Sequence, residues 1–405
     1  MTAPPAPEGA HRLAVVLSHP TQYYSPWFRW LHTHTSLVFR VFYLWEFGVT
    51  EQRDPQFQAT FKWDVDLLSG YESEFVPNVA RDPGTHHFGG LRNPSLPGRL
   101  LAWQPTAVLF FGYNWSTPLR TILTARLRRW PLIFRGDSHF LGRGGPRPVA
   151  RLALQILYAQ FAALLPVGAA NRAYFRTLGV PEKKLFVAPH SVNHELFDPA
   201  RAEPRTAAVA LRRQLGLADS TRVVLFAGKL TPAKQPGELL AAFLDLAPHD
   251  TALIFVGDGP DKSTLQDAAR RSATKSVHFL PFANQSEMPA RYLLADLFVL
   301  PSRGHYETWG LAVNEAMHLG VPALVSDLVG CQRDLVSDGE TGWVFSAAEP
   351  GALRGKLATA LAALADEPTS RRIRASVAAR IDAYTYRQTT AGLLAALASI
   401  PVPRA

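Results

Sequence analysis

The stretch that decides the fold class is "LFVLPSRGHYETWGLAVNEAMHLGVPALVSD", residues 297–327. The apolar run at 296–302 predicts a buried strand and the polar segment at 303–310 a loop. The segment from 311 has helical spacing and stops at Gly320, before a second apolar run at 322–327. A strand, helix and strand in this order predict a parallel sheet, and such sheets bind ligands beyond the carboxyl ends of their strands.

The same alternation of strands and helices fills both halves of the chain. In the first half, strands are predicted at 12–18, 37–44, 106–114 and 131–139, with a helix at 117–129. A strand followed by a turn is predicted within 184–199, and a polar helical linker follows it. The second half has strands at 222–230, 251–260 and 276–282 before the stretch quoted above.

A chain of 405 residues is too long for one ordinary core, so two domains are expected. The prediction is an α/β protein with two doubly wound, Rossmann-like domains that face a cleft. We place the first domain at 1–200 and the second at 201–375. The residues 376–405 are expected to form helices that pack back on the first domain.

Composition limits the compartment and the partners. The sequence has one cysteine, Cys331, and no apolar run of about 18 residues, which predicts neither an internal disulfide nor a membrane span. The Pro- and Ala-rich start is interpreted as a short disordered arm rather than a signal peptide, so a cytoplasmic protein is expected. The net charge of +9 fits a phosphorylated ligand, an anionic membrane face or a general surface bias. Nucleic acid is not expected, since the sequence has no zinc-finger spacing or aromatic RNA-binding signature.

A phosphate-binding loop is predicted at "FAGKLTPAKQ", residues 226–235. Gly228 ends a strand and lets the backbone approach a ligand closely. Lys229 and Lys234 follow it, and two ammonium groups in one strand-end loop can neutralise a diphosphate. The alternative is a pair of solvated surface lysines.

Two carboxylates flank the start of the helix at 311. Glu307 lies in the preceding loop and Glu315 lies inside the helix. The free amide groups near Gly310 and Leu311 predict a phosphate site between them. In this interpretation Glu307 reaches a sugar on one side of a diphosphate and Glu315 accepts hydrogen bonds from ribose hydroxyls on the other. The alternatives are a helix-dipole partner and an exposed helix residue.

The strand-end loops of the first half are predicted to bind the second substrate. They combine aromatic faces with hydrogen-bonding groups, a mixture that suits a polyhydroxylated molecule. The alternatives are that the aromatic residues only pack the domain and that His139 is a histidine bonded to the backbone. The predicted residues are His19, Gln22, Tyr23, Arg135, Asp137 and His139.

These motifs resemble a known family. The two glutamates separated by seven residues, preceded by "PS" and followed by "G-x-P", resemble the donor-site signature of family 4 retaining glycosyltransferases of the GT-B fold. The "GKL…K" element is similar to that family's phosphate-binding Arg/Lys pair, with Lys229 in place of the usual Arg. The segment "HFLPF", ending at Phe282, resembles the one whose loop packs on the nucleotide base. The N-terminal Gly-Gly loop of the family is absent here, and "SHPTQYYSPWF" stands in its place.

The resemblance implies a retaining hexosyltransferase that needs neither a metal nor a cofactor. Its donor would be a nucleotide-diphosphate sugar, a UDP-sugar ahead of a GDP-sugar. Its acceptor would be a hydroxyl of a saccharide, a lipid-linked glycan or a small molecule, with contact to the inner membrane face as a further expectation. Glu307 and His139 are the implied catalytic residues. Two alternatives remain at this stage: a nucleotide-sugar epimerase and a non-catalytic nucleotide-sugar-binding module.

Overall fold

The computed structural model describes residues 11–50, 52–54, 59–272, 276–304 and 307–402. The first ten residues, interpreted above as an arm, lie outside this range. None of the helices in the described part of the chain combines the length and the apolar content that crossing a bilayer requires.

The elements of the first half alternate as predicted. In chain order they are β1 (Arg12–Leu17), α1 (Tyr24–His34), β2 (Val38–Tyr43), β3 (Gln52–Asp54), β4 (Ala59–Phe61), β5 (Ser73–Phe75), α2 (Leu96–Trp103), β6 (Ala107–Phe111), α3 (Ser116–Leu127), β7 (Leu132–Gly136), α4 (Pro148–Ala159), β8 (Ala163–Pro166) and α5 (Ala169–Thr177).

The second half repeats the pattern. Its elements are α6 (Ala202–Gln214), β9 (Arg222–Ala227), α7 (Pro236–Leu246), β10 (Thr251–Val256), α8 (Lys262–Arg271), β11 (Val277–Leu280), α9 (Met288–Leu293), β12 (Leu297–Leu300), α10 (Leu311–His318), β13 (Ala323–Ser326), α11 (Gln332–Leu335), β14 (Gly342–Phe345), α12 (Ala352–Ala365), α13 (Glu367–Ile381) and α14 (Tyr386–Ala398).

Each half forms one six-stranded sheet. The first has the order β5-β2-β1-β6-β7-β8 and the second the order β11-β10-β9-β12-β13-β14, and all neighbouring strands in both are parallel. The order starts in the middle and moves outward in both directions, as in doubly wound sheets. The expected pair of doubly wound α/β domains is therefore confirmed.

Alternation along the strands builds a core on both faces of the first sheet, because successive side chains point to opposite faces. Ala14 and Val16 of β1 lie in the cluster covered by helices α2 to α5. Leu13 and Val15 lie in the opposite cluster, which contains α1 and α14. The carboxyl ends of the strands, from which the loops of the site project, are fixed by these two layers.

The prediction of a strand within 184–199 is wrong. The chain forms a single turn of 3-10 helix at Glu182–Lys184 and then runs along the edge of β8. The amides of Phe186 and Ala188 donate to the carbonyls of Leu164 and Pro166, at 3.0 and 2.9 Å. The chain leaves the sheet edge at Pro189, so these contacts do not extend into a strand.

The chain passes between the two domains twice. The first crossing follows Pro189, and the second joins α13, whose Ile373 and Val377 lie in the core of the second domain, to α14. The expected boundary at 376 falls within α13. The two crossings touch, since the Thr389 hydroxyl donates to the Pro189 carbonyl at 2.7 Å and the rings of His194 and Tyr386 lie 5.3 Å apart.

The docking of α14 on the first sheet can be tested with two adjacent leucines. Leu393 is fully buried in the core of the first domain, whereas Leu394 is 37% exposed. We expect Leu393→Ala to lower the free energy of unfolding of that domain by about 2–5 kcal/mol, because it leaves a cavity. Leu394→Ala, the matched control, should cost clearly less. Chemical denaturation checks this, and equal losses in both variants would contradict the described packing.

Candidate functional site

A cavity of about 960 Å³ lies between the two domains, where the carboxyl ends of both sheets meet. Eleven of the predicted residues line it: Gln22, Tyr23, Asp137, Gly228, Lys229, Lys234, Phe282, Glu307, Gly310, Leu311 and Glu315. His19, Arg135 and His139 are not among the lining side chains. The sequence therefore predicts eight of the 22 lining residues from the second domain and three of the five from the first.

Glu307 is held at the cavity wall by contacts with four other residues. Its carboxylate forms an ion pair with the Lys234 ammonium and accepts a hydrogen bond from the Ser302 hydroxyl at 2.8 Å. Its backbone carbonyl accepts from the amide of Gly330 at 3.1 Å and from the His139 ring at 3.3 Å. The side chain is 11% exposed, so the carboxylate is fixed in position and open to the cavity on one side.

The lysine-bearing loop leaves β9 at Gly228, which has a φ of +151°. A Cβ placed on Gly257, at the end of neighbouring β10, would lie 2.1 Å from the Gly228 carbonyl oxygen. Two strand-end turns are thus packed backbone against backbone, which only glycine at 257 permits. The turn at Gly228 is thereby fixed, and the loop that follows it lines the cavity with Lys229 and Lys234.

Helix α10 begins at the cavity. Gly310 precedes it in the left-handed conformation, with a φ of +100°, and lines the cavity together with Leu311 and Ala312. The first amides of a helix have no partner within the helix and carry partial positive charge. The start of α10 therefore adds an anion-binding group to the two lysines.

Glu315 is buried within α10, 3% exposed, at the far end of this wall. Its carboxylate accepts hydrogen bonds from the Tyr292 hydroxyl at 2.7 Å and the Gln285 amide at 3.4 Å, and it lies within hydrogen-bonding reach of Tyr23. Burial raises the pKa of Glu315 to about 7, although these donors act in the opposite direction. The alternative of an exposed helix residue is therefore wrong for Glu315.

Strand β7 ends in a loop with three predicted residues that have different environments. Asp137 accepts from the Thr308 hydroxyl at 2.7 Å, a contact between domains, and lies 3.7 Å from the His190 ring. Burial acts to raise the pKa of Asp137, but the nearby His190 ring and the hydrogen bond from Thr308 outweigh it and lower that pKa. Asp137 therefore stays a charged group on the cavity wall.

Arg135 does not face the cavity as predicted. Its guanidinium is 2% exposed and donates to the carbonyls of Ala188 and Pro189, at 2.6 and 3.3 Å. It also stacks over Trp27, at 5.5 Å from the ring centre. Because its position in the strand turns the side chain toward the first crossing of the chain, Arg135 supports the backbone behind the site.

His139 takes the backbone-bonded arrangement given above as its alternative. Its Nδ1 accepts from the Leu141 amide at 3.1 Å, so Nε2 carries the proton that it donates to the Glu307 carbonyl. Burial lowers the pKa of His139, which keeps the ring neutral in this role. His139 thus positions the Glu307 loop from the opposite domain.

His19 also lies behind the wall. Its ring packs edge-on against Trp45 and Phe47, at 5.8 and 5.3 Å, and Nδ1 contacts the Ser18 hydroxyl at 3.0 Å. Burial lowers the pKa of His19 to about 4. Phe47, rather than His19, reaches the cavity.

Several lining residues are missed by the sequence analysis. Phe47 and Trp63 come from the loops that flank the short strands β3 and β4, where no periodic pattern marks them. The same segment bonds across the cleft, since the Asp64 carboxylate accepts from the amide and the hydroxyl of Ser286. Tyr292, whose hydroxyl group binds Glu315, could have been found from the sequence, because it is a side chain with a polar group in a mostly apolar helical segment.

Comparisons with known proteins identify the family. The family model described as glycosyl transferases group 1 matches residues 209–378. The D-inositol 3-phosphate glycosyltransferase of Salinispora arenicola is 33% identical over 320 residues, which cover 68% of this chain and 70% of that protein. The chain is a group 1 glycosyltransferase. A relative of the same name from Salinispora tropica is also 33% identical and covers 69% of this chain, but 65% of its own length.

Solved structures share the fold of this glycosyltransferase across nearly its whole length. The UDP complex of Anabaena Alr3699/HepE has a TM-score of 0.71 at 18% identity and covers 96% of this chain and 100% of its own. A glycosyltransferase from Rickettsia africae has a TM-score of 0.74 at 10% identity and covers 96% and 98%. The expected GT-B architecture is therefore confirmed.

The buried carboxyl group of Glu315 predicts a specific dependence of stability on pH. A folded-state pKa of about 7, above the ordinary 4.5, favours the protonated group in the folded protein. Its stabilising contribution is complete below pH 4.5 and is lost as pH rises through about 7. We expect the wild-type protein to lose up to about 3 kcal/mol relative to Glu315→Gln between these two values.

Denaturation of both proteins over that pH range measures the difference. Glu307→Gln serves as the control for removing a cavity carboxylate and should not reproduce the same profile. A difference between wild type and Glu315→Gln that stays constant with pH would show that Glu315 is ionised throughout.

Proposed function

We propose that this glycosyltransferase moves a sugar from a nucleotide-diphosphate donor to an acceptor hydroxyl, with retention at the anomeric carbon. One observation carries the proposal. A single cavity brings two lysines and a helix N-terminus next to a fixed carboxylate, Glu307. Cationic groups for a leaving diphosphate and an anion for a cationic sugar are the two electrostatic elements that such a transfer requires.

The diphosphate is proposed to lie between Lys229, Lys234 and the first turn of α10. Negative charge develops on the diphosphate as the bond to the sugar breaks, and fixed positive groups stabilise it most when water is excluded. These residues supply that charge from the chain itself, so we propose that no metal ion is required. Lys234 pairs with Glu307 in the structure, and diphosphate would give it a second anionic partner.

Glu315 and Phe282 are proposed to bind the nucleoside. Glu315 offers carboxylate oxygens for ribose hydroxyls, and Phe282 offers an aromatic face near the proposed base position. Structural neighbours support a uridine nucleotide, because Anabaena HepE has been solved in complex with UDP and with UDP-glucose. A UDP-sugar is therefore the proposed donor.

Glu307 is the proposed catalytic carboxylate. It would orient the sugar and stabilise the positive charge that forms at the anomeric carbon. The acceptor hydroxyl would attack from the face that the diphosphate leaves, which preserves the configuration. His139 acts through the Glu307 carbonyl and is proposed as a positioning residue.

The acceptor is proposed to bind against the first domain, at Gln22, Tyr23 and Asp137. An amide, a phenol and a carboxylate bind hydroxyl groups, which favours a polyhydroxylated acceptor such as a saccharide, a lipid-linked glycan or a small polyol. The relatives named as D-inositol 3-phosphate glycosyltransferases support a polyol of this kind. His19 and Arg135 are left out, because the structure turns them away from the cavity.

The reaction can be tested by incubating the protein with UDP-sugars, with and without a mixed panel of polyol and saccharide acceptors. Proton NMR of the fresh product should show the anomeric configuration of the donor, and turnover should persist in excess chelator. An inverted product would refute the mechanism, and loss in chelator that Mg²⁺ restores would refute metal independence. A changed donor sugar without any acceptor would show epimerisation instead.

The proposed role of Glu307 predicts that its substitution lowers the rate of sugar transfer without changing the affinity for UDP. We expect Glu307→Gln to lower transfer at least about 100-fold, since the uncharged amide cannot stabilise a cationic sugar. UDP affinity should stay close to the wild-type value, whereas Glu315→Ala should weaken it. Glu238→Gln is the control, because Glu238 pairs with Arg303 outside the cavity. Wild-type transfer by Glu307→Gln, measured alongside UDP titration calorimetry, would disprove the assignment.

A further inference from the structure

Helices α3 and α4 present apolar side chains to the outside of the first domain. On α3, Leu123 and Leu127 are 65% and 78% exposed. On α4, Val149 is 82% exposed, and Leu152 and Ile156 are each 58% exposed. Spacings of three and four residues place these side chains in one stripe along each helix. We name these five residues the outer apolar face.

The two helices pack on one face of the first sheet. Helix α3 connects β6 to β7 and α4 connects β7 to β8, and these three strands are consecutive in the sheet. Both helices pack on the same core cluster, through Ile122 and Ala125 of α3 and Tyr158 of α4. Connections of one hand on one face of a parallel sheet place successive helices next to each other. Single exposed apolar residues are common on protein surfaces, but five of them on two successive helices indicate an interaction site.

The stretch of chain that carries the outer apolar face has almost only positive charges. Asp137 is the single acidic residue between 116 and 160, and it lies in the cavity described above. Arginine is frequent in the same stretch, and Arg120, Arg126, Arg128 and Arg151 are exposed on or beside the two helices. An apolar stripe bordered by arginine side chains matches the boundary between anionic headgroups and acyl chains.

We propose that the outer apolar face binds this protein to the surface of an anionic lipid bilayer. The leucine, valine and isoleucine side chains would enter the headgroup boundary, while the arginines contact lipid phosphates. A second copy of the chain is a poorer partner, because the same face on two molecules would bring arginines against arginines. The proposal concerns attachment and does not depend on the donor or the acceptor of the transfer reaction.

Co-sedimentation with vesicles tests the proposal with the full chain. The probes are vesicles of phosphatidylcholine alone and vesicles that also contain phosphatidylglycerol. We expect the wild-type protein to bind the second kind preferentially and to be released by added salt. The variants Leu123→Ser and Ile156→Ser should each weaken binding, and Arg126→Gln combined with Arg128→Gln should lower it roughly 25-fold, at about fivefold per arginine.

Matched changes elsewhere on the surface are the controls. Val209→Ser removes an apolar side chain that is 51% exposed on α6, and Arg270→Gln with Arg271→Gln removes two exposed arginines of α8. These controls should bind vesicles as the wild type does. Equal binding of all variants, or no preference for phosphatidylglycerol, would overturn the proposal. Concentration-dependent dimerisation that Leu123→Ser abolishes would overturn it in favour of a second copy.

Discussion

The Glu307 loop depends on contacts from both domains at once. Its carboxylate is paired with Lys234 of the second domain, while its backbone carbonyl accepts a hydrogen bond from His139 of the first. The next residue, Thr308, donates to Asp137 across the same gap. Because these bonds form only when the two sheets face each other at this distance, the position of the carboxylate and the width of the cleft are set together.

The carboxyl groups in the cleft differ in how their negative charge is compensated. Glu307 and Glu315 both lie on one wall, yet one is compensated by an ammonium group and the other only by neutral donors. The uncompensated carboxyl group has the raised pKa, as expected when desolvation dominates. Asp137 shows the opposite balance, since a histidine and a hydroxyl outweigh the desolvation of this half-exposed side chain and lower its pKa. The pKa shifts of Glu315 and Asp137 thus run in opposite directions, because their burial and their partners differ.

Strands and helices with a periodic apolar pattern are predicted from the sequence, whereas residues in segments without such a pattern are missed. Apolar strands followed by turns located the carboxyl ends of most sheet strands, and hence Gly228, Lys234 and Glu307. Strand β8 is missed because "ALLP" continues the apolar run of α4 without a break. Trp63 is missed because it lies in the long loop between β4 and β5, which has no periodic apolar pattern. Arg135 was placed wrongly because it was predicted in the loop that faces the cleft, whereas it lies within β7 and its side chain packs toward Trp27, in the same core cluster as Ile133.

The two chain crossings between the domains are bonded to each other through Thr389 and Pro189. Two connections joined in this way resist torsion, because twisting one domain would have to stretch one of them. The motion that these connections still allow is bending of one domain toward the other, about a single axis that passes through both connections. Groups on opposite walls, such as Asp137 and Thr308, would then approach along an arc and meet in one alignment only. Under this constraint the angle between the domains is the one coordinate that determines which atoms face each other across the cleft.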